Sequence, residues 1–177
     1  MKQRSKSKIL SRILIAKLFS ISAGFSAALF SLVLFEVLLL LPDLNVLLPG
    51  LDPVLLWGSL AEELTRWLGI YALMLLVIEK IENRQIIGYF FLFGIGFAAF
   101  EFFLVQLGPT NLAFKETALH YFPALCLHLL NTFLIGTSFV AGKALTPKYY
   151  LAIPLIFLFL SVIIHLVFNL SIVAAWK

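Results

Sequence analysis

The stretch IIGYFFLFGIGFAAFEFFLVQL, from Ile86 to Leu107, contains a single charged side chain, Glu101. At about 1.5 Å rise per residue, a helix of this length covers the roughly 30 Å hydrocarbon core of a bilayer. β-Barrel strands would be about half as long and would alternate in polarity, which this stretch does not. Working outward, four further apolar stretches qualify, at residues 18–41, 54–78, 121–142 and 151–176. Between them lie segments rich in Pro, Gly and charge, which punctuate helices. The expected fold is all-α: a polytopic membrane protein with five transmembrane helices. A basic N-terminal arm over 1–17 leads into a first transmembrane anchor over 18–41, and residues 54–176 form a four-helix catalytic core.

Composition excludes the other classes. The 177 residues are 62% hydrophobic and only 12% charged, with a mean hydropathy of +1.06. Soluble domains run nearer half apolar and a quarter charged. A water-soluble domain, a disordered chain and a nucleic-acid module are therefore ruled out. The net charge of +4 is no nucleic-acid footprint, because Lys2, Arg4, Lys6, Lys8, Arg12 and Lys17 all precede the first span. The single Cys126 excludes a disulfide framework and a Cys-rich zinc site. Basic residues on alternate loops set the orientation. The arm, Lys80, Arg84, Lys143 and Lys148 lie on one side, against Lys115 and Lys177 on the other. The N-terminus is expected in the cytoplasm and the C-terminus outside. The first apolar stretch is too long for a signal-peptide core and reads as an uncleaved anchor.

The spans carry polar groups that cost about 2.5–3.5 kcal/mol each at a bilayer centre. The second span holds Ala61-Glu62-Glu63-Leu64-Thr65-Arg66, the third Glu101, the fourth His128 and Asn131, and the fifth His165 and Asn169. Spacing places them on shared faces: Glu62 and Arg66 are four apart in the favourable ion-pair order, and Glu63 and Arg66 three apart. His165 and Asn169 are four apart, and His128, Asn131, Thr132 and Gly136 share a face. Gly94, Ala98 and Glu101 make a stripe of small residues ending in an acid, which lets a neighbouring helix approach closely. Measured from the outer span ends, the acids, His128, His165 and Asn169 lie about 9–16 Å deep, in one slab of the outer half-membrane.

Two adjacent carboxylates near an Arg and two His supply the parts of a hydrolytic site. One desolvated Glu can act as general base on water. Arg66 can hold the other ionised, and His and Asn donors can stabilise an oxyanion. Cys126 is two residues from His128 and points to another helix face, so no Cys-His pair forms. His-Glu-x-x-His is absent. Glu62, Glu63, Glu101, His128 and His165 remain possible zinc ligands in another arrangement.

Four motifs occur in order, one per helix: Glu62-Glu63 followed by Arg66; Gly96-Phe97-Ala98-Ala99-Phe100-Glu101-Phe102; His128 with Thr132 and Gly136; and His165-x-x-x-Asn169. On these motifs the chain resembles the PrsW family of glutamic intramembrane proteases. That family lies within the superfamily of CAAX prenyl endopeptidases and bacteriocin-processing proteins. The resemblance covers residues 54–175. It departs from the family at Arg66, where Lys is usual, and at Phe102, where Asn is usual. The resemblance implies that Glu62 activates water with help from Glu101, and that His165 and Asn169 form the oxyanion site. It also implies a membrane-anchored substrate, such as an anti-sigma-factor-like protein, cut near the outer face of a bacterial cell membrane. No cofactor is required on this reading, and zinc stays open.

Less specific roles are expected elsewhere. Glu36, at the end of the first span, snorkels or contacts a loop. Lys115 and Glu116 are solvated, the 18 Phe mostly face lipid, and Tyr121 and Trp176 anchor at the interface. The rival reading is a non-catalytic scaffold or immunity protein of the same superfamily. Five spans without inverted-repeat symmetry do not suit a carrier.

Overall fold

The computed structural model describes residues 2–40, 52–76, 83–107, 114–145 and 150–175, with side chains described from residue 13 onward within the first segment, and over 52–76, 86–107, 117–145 and 150–174. The side chains of Lys2, Arg4, Lys6, Lys8, Arg12, Lys115 and Glu116 lie outside that set, as do Lys80, Arg84, Lys148, Trp176 and Lys177.

Five helices make up the described residues: α1 (Lys2–Leu39), α2 (Pro53–Leu76), α3 (Asn83–Leu107), α4 (Phe114–Leu145) and α5 (Ala152–Ala175). Four of them, all but α2, contain stretches long and apolar enough to cross a membrane. α2 is of similar length but carries Glu62, Glu63 and Arg66. Two boundaries differ from the sequence reading. The arm and the first apolar stretch are one continuous helix from Lys2, because nothing between them breaks the helix. α4 begins at Phe114, not Tyr121, and continues through Pro123.

α2 starts on a side-chain cap. Asp52 Oδ1 accepts the Val54 N–H at 2.9 Å, and Pro53 fills the first helical position, where no N–H is needed. α1 is packed along both α2 and α3. Its crossing with α3 is backbone to backbone: a Cβ on Gly24 would strike the Phe93 carbonyl, and one on Gly96 the Ile21 carbonyl. α3 meets α4 through its small-residue stripe, where a Cβ on Gly94 would lie 3.1 Å from Leu129 and 3.2 Å from Thr132. α5 lies against α2 and α4.

The core is aromatic: Phe90, Phe93, Phe97 and Phe139 are buried, and Trp67, Tyr71 and Phe139 pack ring against ring in one cluster. Trp67 Nε1–H donates to the Pro154 carbonyl at 3.1 Å, tying α2 to α5. The outward faces carry Phe91, Phe133, Phe159 and many exposed Leu, Ile and Val. An apolar exterior over four such helices is that of an integral membrane protein. With lipid as apolar as these side chains, close backbone approach and interhelical hydrogen bonds must hold the bundle.

Candidate functional site

The polar residues of four helices converge on one buried cluster. Glu63 and Arg66 on α2 are fully buried and form an ion pair. Sequence spacing also allowed Glu62 to pair with Arg66, but the observed partner is Glu63, the acid three residues away. Helical spacing does not make this choice; packing does, since Glu63 is turned fully into the bundle with Arg66 while Glu62 keeps 25% of its side chain exposed.

Glu63 Oε1 is the hub. Besides Arg66 Nη1, it accepts Asn131 Nδ2–H from α4 at 2.8 Å and lies 2.8 Å from His165 Nδ1 of α5. Asn131 also approaches the Ser161 carbonyl at 3.4 Å. Arg66 Nη2 donates to His128 Nδ1 at 2.8 Å, and its guanidinium lies 4.2 Å from the centre of the Phe97 ring, a cation–π contact. His128 Nε2 in turn contacts Glu101 Oε2. The two histidine rings stand edge to face, 5.7 Å apart.

Glu62 sits beside this network and is not absorbed by it. Its side chain is 25% exposed, with His165 Nε2 3.4 Å from Oε2, and it shares a side-chain hydrogen bond with Glu101. Oε2 itself has no hydrogen-bond partner. Glu101 is 16% exposed. One oxygen of Glu62, one of Glu101 and one nitrogen of His128 lie within 4.8 Å of one another.

That spacing would suit a metal ion, but the hydrogen bonding of His128 works against it. Arg66 has only donors, so His128 Nδ1 must be the unprotonated nitrogen. In a neutral ring Nε2 then carries the hydrogen that points to Glu101. A neutral histidine bound to metal through Nε2 would need a proton on Nδ1, where Arg66 already donates. As arranged, the cluster is a hydrogen-bonded carboxylate site and not a set of free metal ligands.

The other expected site residue, Asn169, lies one turn away. Its Nδ2–H donates to Ser59 Oγ at 3.2 Å, bridging α5 to α2. Tyr121, expected at the interface, instead turns into the site. Its hydroxyl lies 3.0 Å from Glu101 Oε2 and 3.0 Å from the Ala98 carbonyl. Phe102, standing where the resembling family has Asn, packs edge-on against Tyr121 with ring centres 5.6 Å apart. Cys126 and Glu36 are exposed.

Two site residues were missed by sequence reasoning. Asn131 was read as sharing the His128 face but was given no role. Tyr121 is seven residues before His128, two turns along the same face. That spacing was the available signal, masked by the habit of Tyr to sit at membrane interfaces.

No family model, curated protein or solved structure matches the chain.

Proposed function

We propose that the chain is an intramembrane endopeptidase of the PrsW-like glutamic type. On this reading all five helices span the membrane, α2 to α5 form the catalytic core, and the N-terminus is cytoplasmic. The substrate is a membrane-anchored protein of a bacterial cell membrane, cut near the outer face. The observation that carries the reading is the convergence of Glu62 and Glu101 on His128, with the Glu62 side chain 25% exposed beside a fully buried Glu63–Arg66 pair. A carboxylate retained in an apolar bundle and still partly exposed is suited to take a proton from water. Glu101, held by Tyr121 and His128, is the second acidic group facing the same space.

A cleft of about 640 Å³ lies between α1 and α2, beginning one turn from Glu62. Thr65, Gly69 and Ala72 line it, three, seven and ten residues beyond Glu62 on the same α2 face.

The scaffold reading is favoured by one observation: Glu63 links Arg66, Asn131 and His165 across three helices, as assembly alone would require. Cleavage of co-expressed single-span proteins separates the two. Glu62→Gln should reduce turnover by about 10²–10⁴ while the chain still folds. Cleavage at the wild-type rate by this variant would refute the endopeptidase reading. Wild-type activity that survives chelators would favour the glutamic mechanism over zinc.

A further inference from the structure

We propose that the Glu63–Arg66 ion pair holds the two site histidines in opposite tautomers, and that His165 thereby exchanges a proton with Glu62 through Nε2. The proton exchange rests on the endopeptidase reading, whereas the tautomers rest on geometry alone.

Glu63 Oε1 already receives N–H groups from Arg66 and Asn131, so no proton sits on that oxygen. The hydrogen between it and His165 Nδ1, 2.8 Å away, therefore belongs to the ring. His165 is fixed with Nδ1 protonated, and Nε2 faces Glu62 Oε2 at 3.4 Å. His128 is fixed the other way. Arg66 donates to its Nδ1, so its hydrogen lies on Nε2, toward Glu101. One ion pair with an acceptor at one end and a donor at the other thus sets both rings. A base oriented by a carboxylate on its far nitrogen is a general device for proton transfer.

The consequence is a division of labour between adjacent acids. Glu63, fully buried, never meets substrate and is a positioning residue, as is Asn131. Glu62 is the acid that meets water. In the hydrolysis, a water O–H bond breaks, its proton passes to the Glu62 carboxylate, and its oxygen bonds to the scissile carbonyl carbon. Glu62 hands that proton to His165 Nε2, and the resulting cation is stabilised by Glu63. When the C–N bond breaks, Nε2–H delivers the proton to the leaving amine nitrogen. Both residues return to their starting states. His165 in its resting form offers no N–H to an oxyanion, so its part is proton transfer.

Nitrogen-15 NMR of the histidine-labelled full chain in lipid bicelles tests the tautomers without substrate. The His128 and His165 signals are assigned by their loss in His128→Gln and His165→Gln. Neutral pH should show His165 protonated on Nδ1 and bare on Nε2, and His128 the reverse. The same tautomer in both rings, or a doubly protonated His165, would overturn the proposal. With the third histidine, His120, replaced by Gln in every sample, the two remaining rings must show opposite tautomers, and two of the same kind overturn the proposal even where an assignment variant does not fold.

The cleavage arm tests the proton exchange. A glutamine at position 165 keeps an N–H donor but is no base, so His165→Gln should slow turnover by about 10²–10⁴. Turnover within about tenfold of wild type, in a chain that remains folded, would overturn the exchange. Opposite tautomers in a wild-type chain that cleaves nothing would instead refute the endopeptidase reading and the exchange with it, leaving the tautomers standing.

Discussion

The contact between Asn131 and Glu63 joins α4 to α2 at full burial, and its strength can be measured by a double-mutant cycle. The amide lies 2.8 Å from a carboxylate oxygen, while its other contact, 3.4 Å to the Ser161 carbonyl, is too long to add much. Hydrogen bonds to charged groups are worth about 1.5–3 kcal/mol in soluble proteins. Side-chain bonds in a membrane bundle average about 0.6 kcal/mol and reach about 1.7. This one has a charged acceptor and both residues fully buried, so a coupling of about 1.5 kcal/mol is expected. The perturbations are Asn131→Leu, Glu63→Gln and the two together. Unfolding is followed by SDS titration of detergent-solubilised protein, with far-UV circular dichroism as the signal. Glu63→Gln alone should cost about 3–5 kcal/mol, because it leaves Arg66 buried without its counter-charge. The double variant should cost less than the sum by the coupling. Asn169→Leu with Glu63→Gln is the control, since Asn169 donates to Ser59 and should couple by no more than about 0.5 kcal/mol. Additivity within about 0.5 kcal/mol in the Asn131 cycle would refute the hub geometry, as would equal coupling in both cycles.

Asn169→Ala should lower stability by about 0.6 kcal/mol and leave turnover within about twofold, because its amide bridges helices away from Glu62. A loss of about 10²–10³ in turnover with intact folding would place it on the oxyanion instead. Gly96→Ala should destabilise by about 1–3 kcal/mol, since the new methyl meets the Ile21 backbone, which cannot move aside alone. Gly88→Ala on the same helix has nothing within 4 Å of the added methyl and should be neutral or stabilising by up to about 1 kcal/mol. Equal effects of the two substitutions in the same SDS titration would contradict the α1–α3 crossing.

Much of the bundle could be read from residue order because lipid imposes a simple rule. A span must be a helix and must be long, so apolar run length locates four of the helices, and α2 follows from its similar length. The penalty for a charge in lipid likewise marks Glu62, Glu63, Arg66, Glu101, His128 and His165 as residues that must meet. Helical spacing indicated that Gly94 and Ala98 would let a neighbouring helix approach closely, and the contacts of Gly94 with Leu129 and Thr132 show that this helix is α4. The helical course of residues 2–17 was not legible, because Lys and Arg are good helix formers whose charge was read as an arm.

What the residue order determined, then, is which groups each helix must hide. The partners were decided only in three dimensions. Periodicity leaves Arg66 equally placed for Glu62 or Glu63, and the rotation of α2 against α4 and α5 selects Glu63. Nothing along the chain says that Asn131 reaches α2, that Asn169 stops at Ser59, or that Tyr121 turns inward to Glu101. Each of these depends on the rotation and crossing of a helix relative to another far away in sequence. Backbone contacts such as those at Gly24 and Gly96 set that geometry, and they become visible only once the helices are packed.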